Sequence, residues 1–156
     1  MMSSKPRLLL AAASAVLSVF SANAASVTDC GDDFKANIQN LAEPWEKNTK
    51  TFLNGSVRIA LVDTGGEPVC CSMHLLVLAE APEDPSGPPS RICKIVSNTA
   101  EMGFMYINFS KIRSGFSPAR GLDLMMPYEL YIDGLKSRPG LARINVNTRT
   151  GVVTAR

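Results

Sequence analysis

The stretch Val69–Ala79, VCCSMHLLVLA, decides the fold of this chain. It contains two of the four cysteines, the single histidine and a long apolar run. Successive side chains of a β-strand point to opposite faces of the sheet. Residues 71, 73, 75 and 77 are therefore expected on one face, and the even-numbered residues from 70 to 78 on the other. Because both faces become apolar towards the far end, we predict a central strand that is covered on both sides.

The four cysteines, Cys30, Cys70, Cys71 and Cys93, allow three complete pairings. Neighbouring residues of a strand point in opposite directions, so Cys70 and Cys71 are expected to bond to different partners. A ring between these two adjacent residues needs a distorted peptide and is the least expected pairing. We expect Cys30–Cys70 with Cys71–Cys93, and the alternative is Cys30–Cys71 with Cys70–Cys93. Every pairing fastens Cys30 and the amino-terminal segment to the β region.

A geometric conflict accompanies this expected pairing. A symmetric hairpin through the loop 81–89 places Cys93 opposite Val77. Six residues of strand, roughly 20 Å, then separate Cys93 from Cys71, which is beyond the reach of a disulfide. Either the strands on the two sides of this loop are not hairpin partners, or the cysteines pair differently.

Residues 1–25 have the pattern of a secretory signal peptide. Lys5 and Arg7 precede an apolar core, Leu8–Phe20, and Ala22-Asn23-Ala24 supplies the small-residue cleavage pattern. We expect removal of the leader after position 24 or 25 and a periplasmic or secreted protein. An even number of cysteines in an exported chain predicts disulfide bonds. Residues 26–156 are expected to form a single disulfide-bonded β-rich domain with no membrane span; the oligomeric state is left open.

The charge of the chain is unevenly distributed. Residues 26–110 contain 6 basic and 11 acidic residues, whereas residues 111–156 contain 8 basic and 3 acidic ones. After removal of the leader the total balances at 14 of each. A nucleic-acid binder needs a clear positive excess, so no nucleic-acid partner is expected. The uneven distribution indicates either a solvated surface or a functional patch.

Helix is predicted in residues 29–53, where Asp32 or Asp33 supplies an amino-terminal cap. Pro44 interrupts this segment because it lacks the backbone donor that an interior helical position needs. The sole tryptophan, Trp45, is expected to pack against the sheet. The apolar residues at helical spacing are Phe34, Ile38 and Leu41.

The rest of the chain has the residue pattern typical of β-strands. The fold class is mainly β (α+β): an antiparallel sheet, sandwich or partly open barrel of about six to seven strands, with an N-terminal helical segment. Pro127 suggests a bend or an edge in one strand. The predicted strands are 57–63, 69–79, 91–97, 103–109 and 122–132, followed by a hairpin of 141–146 with 152–155.

Two loops of opposite charge separate these strands. The loop Glu80–Ser90 is acidic and contains four prolines, and the loop Ser110–Gly121 is basic. Both are expected to be exposed, since a proline-rich segment has few backbone donors for pairing. Each is a solvated connector or a recognition surface.

No catalytic residue, cofactor site or metal site is predicted. His74 is the single histidine, and in mid-strand it is expected to be packed or hydrogen-bonded. Phosphate-loop, dinucleotide and nucleophile-elbow motifs do not occur in the sequence. A glycosidase-type pair remains formally available, although nothing in the spacing of its candidates favours it. Those candidates are Asp63, Glu67, Asp123 and Glu129.

We expect an exported periplasmic, non-enzymatic binding protein with a protein partner in the cell envelope. One form of this hypothesis is an inhibitor or neutraliser of a cell-envelope hydrolase. The alternative is a structural or stress-related envelope factor, and a carboxylate-based hydrolase ranks third. The analogy to small disulfide-bonded inhibitors rests on the type of fold alone.

Overall fold

The computed structural model describes residues 24–65, 70–134 and 136–156. The predicted signal peptide, apart from its last two residues, and Glu67 lie outside these residues. Among the described residues, no helix is long and apolar enough to cross a membrane.

The described chain forms two antiparallel five-stranded sheets. The first sheet contains β1 (Ser26–Asp29), β2 (Thr49–Phe52), β3 (Val57–Asp63), β4 (Met73–Glu80) and β5 (Arg91–Ser97). The second contains β6 (Tyr106–Ile107), β7 (Arg113–Ser117), β8 (Gly121–Asp133), β9 (Lys136–Val146) and β10 (Val153–Ala155). The strand orders are β1-β5-β4-β3-β2 and β10-β9-β8-β6, and β7 also pairs with β8. The predicted antiparallel, mainly β fold is confirmed, with more strands than the six to seven expected.

The main hydrophobic core lies between the two sheets, as in a β-sandwich. Alternate residues of β3, β4 and β5 meet alternate residues of β8 and β9 there. Its members from the first sheet are Val57, Ile59, Leu61, Leu75, Val77, Ala79 and Val96. Those from the second sheet are Ile107, Leu122, Leu124, Met126, Ala142, Ile144, Val146 and Val153.

The strand β4 is central and is covered on both sides, as its sequence predicts. Leu75 and Val77 are buried in the core between the sheets. Leu76 is buried on the opposite face of the first sheet, where a second apolar cluster includes Ala60, Val62 and Ile95. We call this opposite face the covered face, because residues 30–41 lie across it.

The amino-terminal segment contains much less helix than residues 29–53 were predicted to form. It has β1, two short 3₁₀ turns (Phe34–Ala36 and Ile38–Asn40), one α-helical turn (Trp45–Asn48) and β2, and a further 3₁₀ turn spans Leu53–Gly55. Asp33 does cap the first turn, by accepting a hydrogen bond from the backbone N–H of Lys35.

Three large apolar side chains of this segment are exposed, and the prediction that Trp45 packs against the sheet is wrong. Phe34 is 61% exposed, Ile38 73% and Trp45 50%. The covered face is instead closed by Ala36 and Leu41 of the segment. A chain that turns this tightly over a sheet brings only some positions into contact with it, and the helical period therefore misassigned which residues are buried.

The disulfide pairing differs from the one expected from the sequence. Cys30 bonds to Cys93, with Cα atoms 5.3 Å apart, and Cys70 bonds to Cys71. Strand β4 begins at Met73, so the two adjacent cysteines precede the strand and the alternation of side chains does not apply to them. The strands β4 and β5 do form a hairpin across the loop 81–90, and Cys93 lies opposite Leu78, far along the strand from Cys71. The hairpin therefore forms, and the expected Cys71–Cys93 bond does not.

The second sheet extends further than predicted. Residues 113–117 of the predicted basic loop form β7, and β9 begins at Lys136, five residues before the predicted strand 141–146. By contrast, only residues 106–107 of the predicted strand 103–109 are in a strand. The final hairpin is present, and Gly151 at its turn has φ +74°.

Pro127 lies within β8, although this strand is interior in its sheet. Its carbonyl accepts a hydrogen bond from the backbone N–H of Asn108. The N–H and C=O of one strand residue point to the same side. The donor that Pro127 lacks would therefore face Asn108, which follows the end of β6.

Candidate binding surface

Of the four candidate carboxylates, Glu67 lies outside the described residues, and Asp63 lies on a different sheet from Asp123 and Glu129. Asp123 and Glu129 are six residues apart on β8, which is about 20 Å along a strand, whereas glycosidase pairs need about 5–10 Å. Asp63 is exposed at the end of β3 in the other sheet, where it accepts a hydrogen bond from the N–H of Gly65. The described residues also contain no group of three or more histidine, cysteine, aspartate or glutamate side chains that could hold a metal ion.

His74 is buried on the covered face and is 2% exposed. Its Nδ1 shares a hydrogen bond of 2.7 Å with Oγ of the buried Ser97. The pKa of His74 is lowered to about 4, first by burial and then by the charge of Lys35, whose effects together outweigh those of the carboxylates of Asp33 and Asp63. The imidazole is therefore neutral at pH 7, and this geometry is that of a packed histidine.

Lys35 and Asp33 attach the amino-terminal segment to the first sheet near His74. The Lys35 ammonium lies 2.6 Å from Oδ2 of Asp33 and donates to the carbonyl of Ala100. Burial raises the pKa of Asp33, but the hydrogen bonds and charge of Lys35 outweigh this effect and leave that pKa below its ordinary value. The pair is a satisfied ionic contact and does not present a free charge to a ligand.

Arginine side chains form a row across the outer surface of the second sheet. Arg113 on β7 lies opposite Met125 on β8, and Met125 lies opposite Arg143 on β9. Arg156 continues the row, because its backbone exchanges both hydrogen bonds with Arg143. Residues directly opposite each other in neighbouring strands project from the same face of the sheet. The three arginines therefore emerge side by side, and all three are exposed.

Arg120 and Lys111, also exposed, extend this row at its two margins. Arg120 joins Arg143 and Arg156 around a cleft of about 350 Å³. Lys111 joins Arg113 around an adjoining depression of about 570 Å³. We call the surface made by these five side chains, Lys111, Arg113, Arg120, Arg143 and Arg156, the basic face.

One carboxylate, Asp123, lies within the basic face. It accepts hydrogen bonds from Nδ2 of Asn145 at 3.0 Å and from Arg120 at 3.5 Å. The Asn145 hydrogen bond lowers the pKa of Asp123 against the opposing effect of burial, and Arg120 and the charge of Arg143 lower it further. Arg113, Arg143 and Arg156 have no ion-pair partner in the part of the chain that the structure describes. The basic face therefore carries an excess of positive charge.

Apolar groups border the arginines on the same surface. Met125, Pro127 and Leu141 line the depression next to Arg113. Leu141 is 55% exposed. Arginine beside exposed apolar groups is the composition found at protein–protein interfaces. The uneven charge of the sequence indicated a basic carboxyl-terminal part, but only the strand register shows that its arginines share one face.

The acidic loop Glu80–Ser90 lies between β4 and β5 and is largely exposed. Asp84 organises its tip by accepting hydrogen bonds from the N–H and the hydroxyl of Ser86. The base of the loop approaches the turn before β10, where Pro82 would contact a side chain added at Gly151. The loop is thus anchored at its base and has a locally structured tip.

Comparison with known proteins finds no match: no family model, curated protein or solved structure is similar to this chain. The two disulfide bonds are of the kind that forms outside the cytoplasm.

Proposed function

We propose that this is an exported, non-enzymatic binding protein that docks an acidic protein of the cell envelope on its basic face. The observation that carries the proposal is the row of arginines across β7, β9 and the segment after β10. Exposed guanidinium groups that lack carboxylate partners among the described residues are available to pair with an acidic surface. If the acidic partner is a cell-envelope hydrolase, docking on the basic face would inhibit that enzyme.

The chemistry of the basic face supports a protein partner. Met125, Pro127 and Leu141 give the surface an apolar part that is removed from water on docking, while the arginines at its margins orient the partner. Surface charges of this kind accelerate association and make binding sensitive to salt. We therefore expect binding that weakens steeply as ionic strength rises.

The test compares charge reversal on the basic face with charge reversal at an exposed arginine of β9 that lies outside the basic face. The immobilised wild-type protein is incubated with a periplasmic extract, and captured proteins are identified at low and at high salt. In the double variant R143E/R156E, we expect loss of an acidic partner that the wild type retains. R138E is the matched control, because Arg138 is exposed on β9 but lies opposite Leu130 and projects from the other face of the sheet.

The outcomes separate the proposal from its alternatives. Equal capture by the wild type and R143E/R156E, or equal loss in R138E, would remove the basic face from the interaction. Binding of the wild type to anionic phospholipid vesicles, without any captured protein, would show that the partner is a membrane surface. Inhibition of the captured enzyme by the wild type, and not by R143E/R156E, would support the inhibitor form.

A further inference from the structure

The two disulfide bonds have different surroundings. Cys30 and Cys93 extend the paired strands β1 and β5, and the N–H of Cys30 donates to the carbonyl of Cys93. Both pack with the apolar cluster on the covered face. The ring of Cys70 and Cys71 precedes β4 and belongs to neither sheet. Cys70 is partly exposed, whereas Cys71 is buried.

The backbone of the ring is in an unfavourable conformation. Cys70 has φ +129°, which residues with side chains rarely adopt. The closed ring holds Cys70 in this conformation. Opening the ring allows φ to return to negative values, so that cleavage of this bond relieves a backbone cost that cleavage of Cys30–Cys93 does not.

We propose that Cys70–Cys71 is a site of thiol–disulfide exchange with a dithiol reductant. A thiolate of the reductant attacks Sγ of Cys70, the more exposed residue of the two, and the Cys70–Cys71 bond breaks. Cys71 leaves as a thiolate and takes a proton from solvent, while Cys70 remains in a mixed disulfide with the reductant. The second thiol of the reductant then attacks this mixed disulfide and releases Cys70 as a thiol. The protein gains two electrons and two protons, and the reductant leaves as a disulfide.

The ring is connected to the contact between the sheets. The carbonyl of Cys71 accepts a hydrogen bond from the N–H of Gly103 at 2.8 Å. The next residues, Phe104 and Met73, exchange backbone hydrogen bonds, and Phe104 is buried in the core. Opening the ring removes the constraint on the Cys71 carbonyl, so the protection of the Gly103 amide is the first property expected to change.

Graded reduction tests the proposal on the full oxidised protein. The protein is incubated with increasing dithiothreitol, free thiols are alkylated, and the modified cysteines are identified by mass spectrometry of peptides. We expect alkylation of Cys70 and Cys71 at a rate at least tenfold above that of Cys30 and Cys93. Equal rates for the two bonds, or earlier opening of Cys30–Cys93, would overturn the proposal.

A second measurement distinguishes local exchange from unfolding. Hydrogen exchange is followed at concentrations of dithiothreitol that open only the ring. Faster exchange at the Gly103 amide, with unchanged exchange in the buried part of β4, is expected. General loss of protection whenever Cys70 becomes alkylated would show that the ring opens only through unfolding and would refute an exchange site in the folded protein. The variant C70S/C71S is the control, and it should yield no thiols under the same mild reduction.

Discussion

Nδ1 of His74 and Oγ of Ser97 lie 2.7 Å apart and join β4 to the end of β5. The two residues are one step beyond the Leu75–Val96 pair of the antiparallel register, so their side chains project from the same face. This face is covered by the amino-terminal segment, and both groups are buried. The hydrogen bond thus gives each of these two buried polar groups a partner.

Stability is expected to fall on acidification between pH 6.5 and about 4, because of His74. Burial lowers the pKa of this residue to about 4 in the folded protein, and the unfolded chain has a pKa near 6.5. The unfolded state therefore binds a proton first, and the free energy of unfolding declines as pH falls through this window, by up to about 3 kcal/mol. Urea unfolding at several pH values measures this decline.

The variant H74Q is the control for the pH experiment. Glutamine retains a hydrogen-bonding group for Ser97 and does not titrate. His74 is the single histidine, so H74Q should lose most of the pH dependence above pH 5. An unchanged dependence in H74Q would assign the decline to other groups.

Replacement of Gly103 by alanine should destabilise the protein. An added Cβ would lie 2.5 Å from the carbonyl oxygens of Cys71 and Met73, and 2.9 Å from Cε1 of His74. Two of these atoms are backbone, so the clash requires movement of β4, and overpacking of this kind costs about 1–3 kcal/mol. G115A is the matched control, since nothing lies within 4 Å of a Cβ added there. Equal stability of G103A and G115A in thermal unfolding would contradict the prediction.

Removal of the two disulfides should have unequal effects on stability. The bond Cys30–Cys93 joins residues 63 apart in sequence, so it restricts the unfolded chain strongly, and C30S/C93S should lose about 2–5 kcal/mol. The bond Cys70–Cys71 joins neighbours and closes almost no loop. C70S/C71S should therefore lose far less. Denaturant unfolding of both double variants is the measurement, and a larger loss in C70S/C71S would reverse this interpretation.

Lys50 on β2 should stabilise the turn that follows β6. Its ammonium group donates to the carbonyls of Phe109, Ser110 and Ile112 at 2.9, 3.2 and 3.4 Å. The variant K50M keeps much of the apolar stem but removes these bonds, and a loss of about 1–3 kcal/mol is expected. Lys47 is exposed in the helical turn nearby, and K47M is the control. A change of the same size in both variants would show that the carbonyl contacts contribute nothing.

Much of the β architecture could be predicted from local patterns. The strands Val57–Asp63 and Arg91–Ser97 were predicted with their observed bounds, and β4 was recognised as the strand covered on both sides. Alternation of apolar side chains is a local property, and burial on a sheet preserves it. The short strand β1 gave no such signal, because four residues with mixed polarity contain too little periodicity.

The sequence by itself determined the fold class, the central position of β4 and the excess of basic residues in the carboxyl-terminal part. Each of these depends on residue order within one segment or on composition. Only the tertiary structure decided which cysteines pair, because Cys30 meets Cys93 through the register of β1 against β5. The tertiary structure also placed Arg113, Arg143 and Arg156 in one row. These arginines are distant in sequence and are brought together by hydrogen-bonded pairing of their segments. Long-range register is set by the packing of whole sheets, and no single segment contains it.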